Sequence, residues 1–239
     1  MKKFKCLLAA VLLACSTASF AQFTNGGGGG VSSDVEAWKG LRFSYDRTFM
    51  SAGDESLYGK YGMDISGLNG FSVGYVQSWK IAKSFPIFFE TGAGINFARW
   101  SDSDDYMDIG EDLDLKGTTL GLDIPLNVVF GVKINDNLAI KPYTGFYLRV
   151  NLMGKAKVSS DNDMIQEVLE EYDEDSYNLF DEDDMGDDDK WKRVQFGWQI
   201  GATLDINKFN VGIGYGIDFN EIADDARFGI FSARLGYNF

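Results

Sequence analysis

The densest chemistry in this chain lies in "DEDDMGDDD", residues 181–189, where Asp181, Glu182, Asp183, Asp184, Asp187, Asp188 and Asp189 follow one another almost without interruption. Carboxylate oxygens at that density are the ligands that hard cations such as calcium take. The spacing does not match an EF-hand loop, and an acidic, solvated loop has the same composition. Glu90 and Asp123 are the other residues that could act, as a carboxylate pair in general acid–base work. The bland alternative is that they pair with Arg42, Arg149, Arg193 or Arg234 and fill space. The chain has no histidine, which removes Ser-His and Asp-His relays and every His-ligated metal site. Five consecutive glycines, Gly26 to Gly30, are not followed by the Lys-Ser/Thr pair of a phosphate-cradling loop. No catalytic residue and no cofactor is expected.

The elements that must hold these side chains begin after a leader. "MKKFKCLLAAVLLACSTASFAQ" has three lysines, a short apolar stretch and a small-x-small site ending at Ala21, the pattern of a secretory signal peptide over residues 1–21. Both cysteines, Cys6 and Cys15, fall inside it, so the mature chain is expected to lack thiols and disulfides. "LLAC" also loosely resembles a lipoprotein box, with Cys15 as the lipidated residue. Removing Lys2, Lys3 and Lys5 takes the formal charge from −14 to −17, which argues against nucleic acid as a partner. Residues 22–37 read as a flexible glycine-rich leader, and residues 38–239 as one domain.

That domain is dominated by period two. In "VQFGWQIGATLDI", Val194, Phe196, Trp198, Ile200, Ala202, Leu204 and Ile206 share one face. "NVGIGYGIDF" repeats the alternation, as does Thr118 to Ile134, and similar stretches run over about 40–50, 70–81, 87–99, 138–155 and 227–239. The total is eight strands. Their connections alternate: "AKSFP", "NDN" and "NK" are tight turns, whereas about 51–69, 100–114, 156–190 and "NEIADDA" are longer. Met164, Ile165, Val168, Leu169 and Tyr172 have helical spacing within the longest of these. The expected fold is all-β: an eight-stranded antiparallel up-and-down transmembrane barrel with short periplasmic turns and long surface loops.

Periodicity alone leaves open which face is outside, and a soluble, lipocalin-like barrel has the same period. The composition of the faces favours the membrane. One face carries Arg42, Asp46, Glu90, Asp123, Lys141, Arg149, Arg193, Asp205, Asp218 and Arg234 among many glycines, suited to a crowded barrel interior. The other bears Trp79, Trp198, Tyr45, Tyr75, Tyr215 and Tyr237, the types that form interfacial girdles. Pro125 and Pro142 sit within strands of a barrel that has no free edge, and each is expected to mark a bulge or the end of regular pairing.

The chain ends "FGIFSARLGYNF", strand-like to its last residue. Leu235, Tyr237 and Phe239 alternate outward, and this tail resembles the aromatic signal read by the barrel assembly machinery. With eight strands and alternating loop lengths, residues 38–239 resemble the outer-membrane protein β-barrel domain family, the PorT-like and OmpX-like group. The resemblance implies an integral outer-membrane protein with a periplasmic N-terminus, embedded in outer-membrane lipid. It implies a non-catalytic role in binding, adhesion or a secretion or envelope assembly, through an extracellular or envelope protein partner. A small-solute pore and a soluble or lipid-anchored barrel with an apolar ligand are the alternatives.

Overall fold

A computed structural model of the chain describes residues 35–53, 68–82, 85–104, 113–160, 162–171, 176–187 and 189–239. The signal peptide, Cys15, most of the glycine-rich leader, Tyr172 and Asp188 lie outside the described residues. The period-two runs form β1 (Lys39–Ala52), β2 (Leu68–Lys80), β3 (Ile87–Asp104), β4 (Leu113–Phe130), β5 (Val132–Asn135), β6 (Leu138–Ser160), β7 (Ser176–Asn178), β8 (Val194–Ile206), β9 (Phe209–Asp218) and β10 (Ala226–Asn238). Two helices, α1 (Asp163–Glu171) and α2 (Glu182–Met185), lie in the longest connection.

All pairings are antiparallel: β1 to β4 pair in succession, β4 pairs with β6, β6 with β8, β8 with β9 and β9 with β10, and β1 pairs with β10, from Gly40 opposite Asn238 to Ala52 opposite Ala226. The sheet therefore closes into a ring of eight staves, β1-β2-β3-β4-β6-β8-β9-β10. β5 continues β4 beyond a break at Gly131, and β7 adds to β6 above the ring. Closure leaves no row of unpaired N–H and C=O groups, the condition for strands to cross hydrocarbon. The chain end takes part, since the Phe239 amide donates to the Lys39 carbonyl at 3.0 Å.

Alternation decides the two faces. Phe43, Phe71, Ile95, Phe97, Phe146, Ile213 and Leu235 are among the many large apolar residues exposed around the outside. A continuous apolar band of this kind far exceeds the patches that soluble monomers tolerate; it is the surface of a transmembrane barrel. The polar alternates point inward. Three connections at one end are short, and Asn207 takes a positive φ of 56° in the turn from β8 to β9. At the other end β3, β4 and β6 run on as a raised wall, paired as far as Asp104 with Leu113 and Leu113 with Ser160. β6 has 23 residues, against the roughly 9–11 that a bilayer requires.

Both prolines sit at interruptions of one ladder. Pairing of β3 with β4 skips from Thr91–Leu126 to Gly94–Asp123, so Pro125 owes no hydrogen bond on that side. Pro142 lies between the end of the β5–β6 pairing and the start of β4–β6. A register shift at Leu120/Gly121 leaves Leu152 as an extra residue in β6. This bulge resets the alternation: Leu152 and Met153 are both exposed, and from there Lys155 and Lys157, not their neighbours, point outward.

Candidate functional site

The interior is where the barrel concentrates its polar side chains, and it is built in layers. At the end with short turns, Val35, Trp38, Phe88, Val129 and Tyr143 form a buried cluster. Trp38 is fixed on several sides: its amide donates to Ser78 Oγ at 2.8 Å, its carbonyl accepts from the Ser78 amide at 2.8 Å, and its indole N–H donates to Glu90 at 2.7 Å. Lys141 Nζ lies 3.5 Å above the indole ring, a cation–π contact in a desolvated place. Lys141 also pairs with Asp205 at 2.5 Å, and Asp205 accepts from Asn210 and Asn238 as well.

From this hub the hydrogen bonds run upward. Glu90 accepts from Asn127 at 3.4 Å, Asn127 from Gln199 at 2.9 Å, and Gln199 from Arg234 at 3.1 Å. Arg42 donates to Asn238 and to the Leu41 carbonyl. Arg234 lies over the Tyr143 ring at 5.2 Å. Further up, Arg149 grips Asp123 through two bonds of 2.6 and 3.4 Å, and the Tyr147 hydroxyl donates to Asp218. At the loop end, Trp100, Leu179, Trp191, Ile222, Ala226 and Phe228 belong to a second apolar cluster, with Trp191 edge-on to Phe228. Between the two apolar caps a cavity of about 130 Å³ remains, lined by Arg42, Asp46, Glu90, Tyr143, Gln199 and Arg234 among others.

Glycines make this packing possible. Tyr143 and Tyr147 of β6 stand opposite Gly201 and Gly197 of β8. Each phenol lies down across the glycine beside it: a Cβ on Gly201 or Gly214 would meet the Tyr143 hydroxyl, and one on Gly197 would meet that of Tyr147. The glycine-rich inner faces of β8 and β9 are thus grooves that receive the β6 rings.

Five of the six expected interior charges, Arg42, Glu90, Asp123, Arg149 and Arg234, line the cavity. Of these, Arg149 and Asp123 form an ion pair; Arg42 and Arg234 are held by amides and a carbonyl instead. Arg193 departs from the expectation. It is exposed at the rim, donates to the Leu152 carbonyl at 3.3 Å and lies over the Phe180 ring at 4.5 Å. Regular pairing of β8 starts only at Val194, and Gln195 takes the first inward position. Glu90 and Asp123 do not form a carboxylate pair either. Register sets Asn127 opposite Glu90 and Gly94 opposite Asp123, four residues along the strand, or about 13 Å.

The acidic segment is also differently arranged from a cation site. Asp181 caps α2 by accepting from the Asp183 amide, Asp184 accepts from the Asn178 amide, and Lys190 is bound by Asp187 at 2.6 Å and Glu182 at 2.7 Å. The hydrogen bonds that the Lys190 ammonium donates to Asp187, and then to Glu182, push it above its usual range. Asp187 and Glu182 share Lys190 while Asp181 and Asp184 accept from backbone amides, and no three acidic groups among the described residues converge on a metal position. Leu235, Tyr237 and Phe239 all face outward and exposed, with Tyr237 in ring contact with Phe209 and Phe239.

The residues that sequence reading passed over are Trp38, Tyr143, Tyr147, Trp100 and Trp191. Tyr143 and Tyr147 share parity with Lys141 and Arg149, so their inward aim was available from the alternation. Trp191 lies outside any strand and carries no such signal.

A closed antiparallel barrel with an apolar belt outside and a connected polar network inside defines an integral outer-membrane protein. The chain belongs to the outer membrane protein beta-barrel domain family, whose model matches residues 20–224. No curated protein matches it in sequence. Among solved structures it is similar to Ail, the attachment invasion locus protein of Yersinia pestis, at 16% identity and a TM-score of 0.37, covering 86% of this chain and 100% of that one. It is similar also to the outer membrane enzyme PagL, at 11% identity and a TM-score of 0.43 over 82% and 99% of the two chains. Neisserial surface protein A gives 12% identity and a TM-score of 0.37 over 88% and 99%.

Proposed function

We propose that this protein is a non-catalytic, non-conducting barrel of the PorT-like and OmpX-like kind, whose long loops stand at the cell surface and bind a protein partner in adhesion or in an envelope or secretion assembly. The observation that carries this reading is the contrast between the two parts of the molecule. The lumen is filled by a connected polar network and capped by apolar side chains at both ends, while the wall of β3, β4 and β6 extends well past the bilayer and carries two helices. Substance invested beyond the membrane, with none in a passage through it, fits binding at the loop end. Catalysis lacks support in the lumen, where Asp123 is tied to Arg149 and Glu90 to Trp38 and Asn127.

The N-terminus, the tight turns and residues 135–137 belong in the periplasm on this reading, and the acidic loop outside. Single cysteines test it: Asp187→Cys should react with an impermeant maleimide on whole cells, and Asp136→Cys only after lysis. The reverse pattern would invert the topology. Replacing residues 162–190 by a short turn should leave the barrel heat-modifiable on gels but abolish cross-linking to its partner; unchanged cross-linking would move the binding surface elsewhere.

The outward Leu235, Tyr237 and Phe239 serve as the assembly signal. Phe239 is 58% exposed, and burying an aromatic side chain is worth only roughly 1.5–3 kcal/mol. Deleting it should therefore strand the chain in the periplasm while leaving refolding from urea into detergent nearly unchanged. Normal delivery to the outer membrane would reduce Phe239 to one more lipid-facing residue.

A further inference from the structure

The outer boundary of the apolar belt is drawn by register. Tyr45, Phe71, Phe97, Leu120 and Met153 are successive partners across β1, β2, β3, β4 and β6, a row of apolar side chains on the outer face. Two residues further toward the loop end, the same strands present Arg47, Asn69, Arg99, Thr118 and Lys155, again successive partners. Within one step along the strands the surface changes from wholly apolar to cationic. The join is made by Tyr45, whose hydroxyl donates to Asn69 at 2.5 Å. One step higher, Ser101, Lys116 and Lys157 follow on β3, β4 and β6, with Lys116 paired to Asp114 at 2.9 Å.

This basic row stands out in a chain of formal charge −14. No carboxylate lies in either row, and Arg47, Arg99 and Lys155 are exposed and make no ion pair among the described residues. Strands are spaced about 4.8 Å apart, so the three cations recur at roughly 10 Å intervals along the rim. Hydrocarbon lies immediately below them and water above. A ligand for this place must carry anionic groups at the depth of the headgroups and acyl chains beneath them. The opposite boundary differs in kind: its exposed cations are Lys39, Lys80 and Lys208, with no arginine among them. Guanidinium groups match phosphate oxygens two at a time, which an ammonium does not.

We infer that the outer rim of β1 to β6 is a docking surface for the phosphate groups of an outer-leaflet glycolipid, with Arg47, Arg99 and Lys155 as the ligands and the row of Tyr45, Phe71 and Phe97 receiving its acyl chains. The inference rests on the proposed orientation, with the loop end outward. Its test is made on purified barrel and so fails or succeeds independently of the topology.

The barrel is placed in phosphatidylethanolamine nanodiscs doped with bisphosphorylated lipid A, and retained glycolipid is measured by native mass spectrometry. Each basic residue near an anionic surface contributes about fivefold, so the Arg47→Gln, Arg99→Gln, Lys155→Gln variant should retain the lipid roughly a hundredfold more weakly. The Lys39→Gln, Lys80→Gln, Lys208→Gln variant should match wild type. The second arm does not depend on how a variant folds, since it keeps the wild-type chain and changes the lipid: dephosphorylated lipid A should lose the same preference. Equal retention of both lipids, or of wild type and the rim variant, would overturn the proposal. So would equal enrichment of phosphatidylglycerol, which would mean an unselective anionic rim.

Discussion

Asp205→Ala should destabilise the barrel by about 3–5 kcal/mol, the range for breaking a buried ion pair from one side. Asp205 is the acceptor for Lys141, Asn210 and Asn238 at once, and the Lys141 side chain is 5% exposed. Removing the carboxylate leaves an ammonium against the face of Trp38 with no counter-charge, and leaves two amides with a lost acceptor. Lys141→Met should cost less, because Asp205 keeps Asn210 and Asn238 as donors. The double change Lys141→Met, Asp205→Leu should recover most of the loss, since an apolar pair of similar volume removes both desolvation costs. Urea unfolding in lipid vesicles measures all three. A single-variant loss below about 1 kcal/mol would mean that water reaches this layer and that the cap over it is open.

Gly201→Val should destabilise the barrel by roughly 3 kcal/mol, the upper part of the usual range for overpacking. A Cβ there would meet both the Tyr143 hydroxyl and the Ile213 carbonyl of β9. The ring could rotate away into the cavity, abandoning Arg234, but the carbonyl belongs to a paired strand and cannot. Gly216→Ala is the comparison: its Cβ would meet the edge of Tyr147 at 3.1 Å, with the Trp198 carbonyl next at 3.5 Å. That change should stay within about 1 kcal/mol, by the same scale. If the two variants unfold alike, the β6 tyrosines are not seated in the β8 and β9 grooves.

These two predictions mark how far the sequence could be read. Alternation sufficed to put Lys141, Asp205, Asp218 and Arg149 on the inner face, because a strand's side chains have only two directions, and the lengths of the connections ordered the staves. Parity failed where the backbone leaves the regular ladder. Arg193 shares the parity of Gln195, yet it precedes the first β8 pair and turns outward over Phe180. Leu152 is an extra residue that no local pattern betrays, since "NLMG" is equally consistent with an unbroken strand. The partners of the interior charges were less legible still. Arg42 and Arg234 satisfy themselves on Asn238, Gln199 and a carbonyl, and amide partners several strands away leave no mark on the sequence around an arginine. The acidic run suggested a cation site by density alone. Four of its carboxylates, Asp181, Glu182, Asp184 and Asp187, are spent on a helix cap, a backbone amide and Lys190, choices that depend on how the described residues after β7 fold back on β6.

The filled lumen is the point on which the functional reading turns, and single-channel recording in planar bilayers addresses it most directly. The wild-type barrel, inserted and verified as heat-modifiable, is expected to give no discrete conductance steps, because Trp38 and its neighbours close one end and Trp100, Trp191 and Phe228 the other. Reproducible unitary steps from the wild-type protein would contradict this account and make the protein a pore.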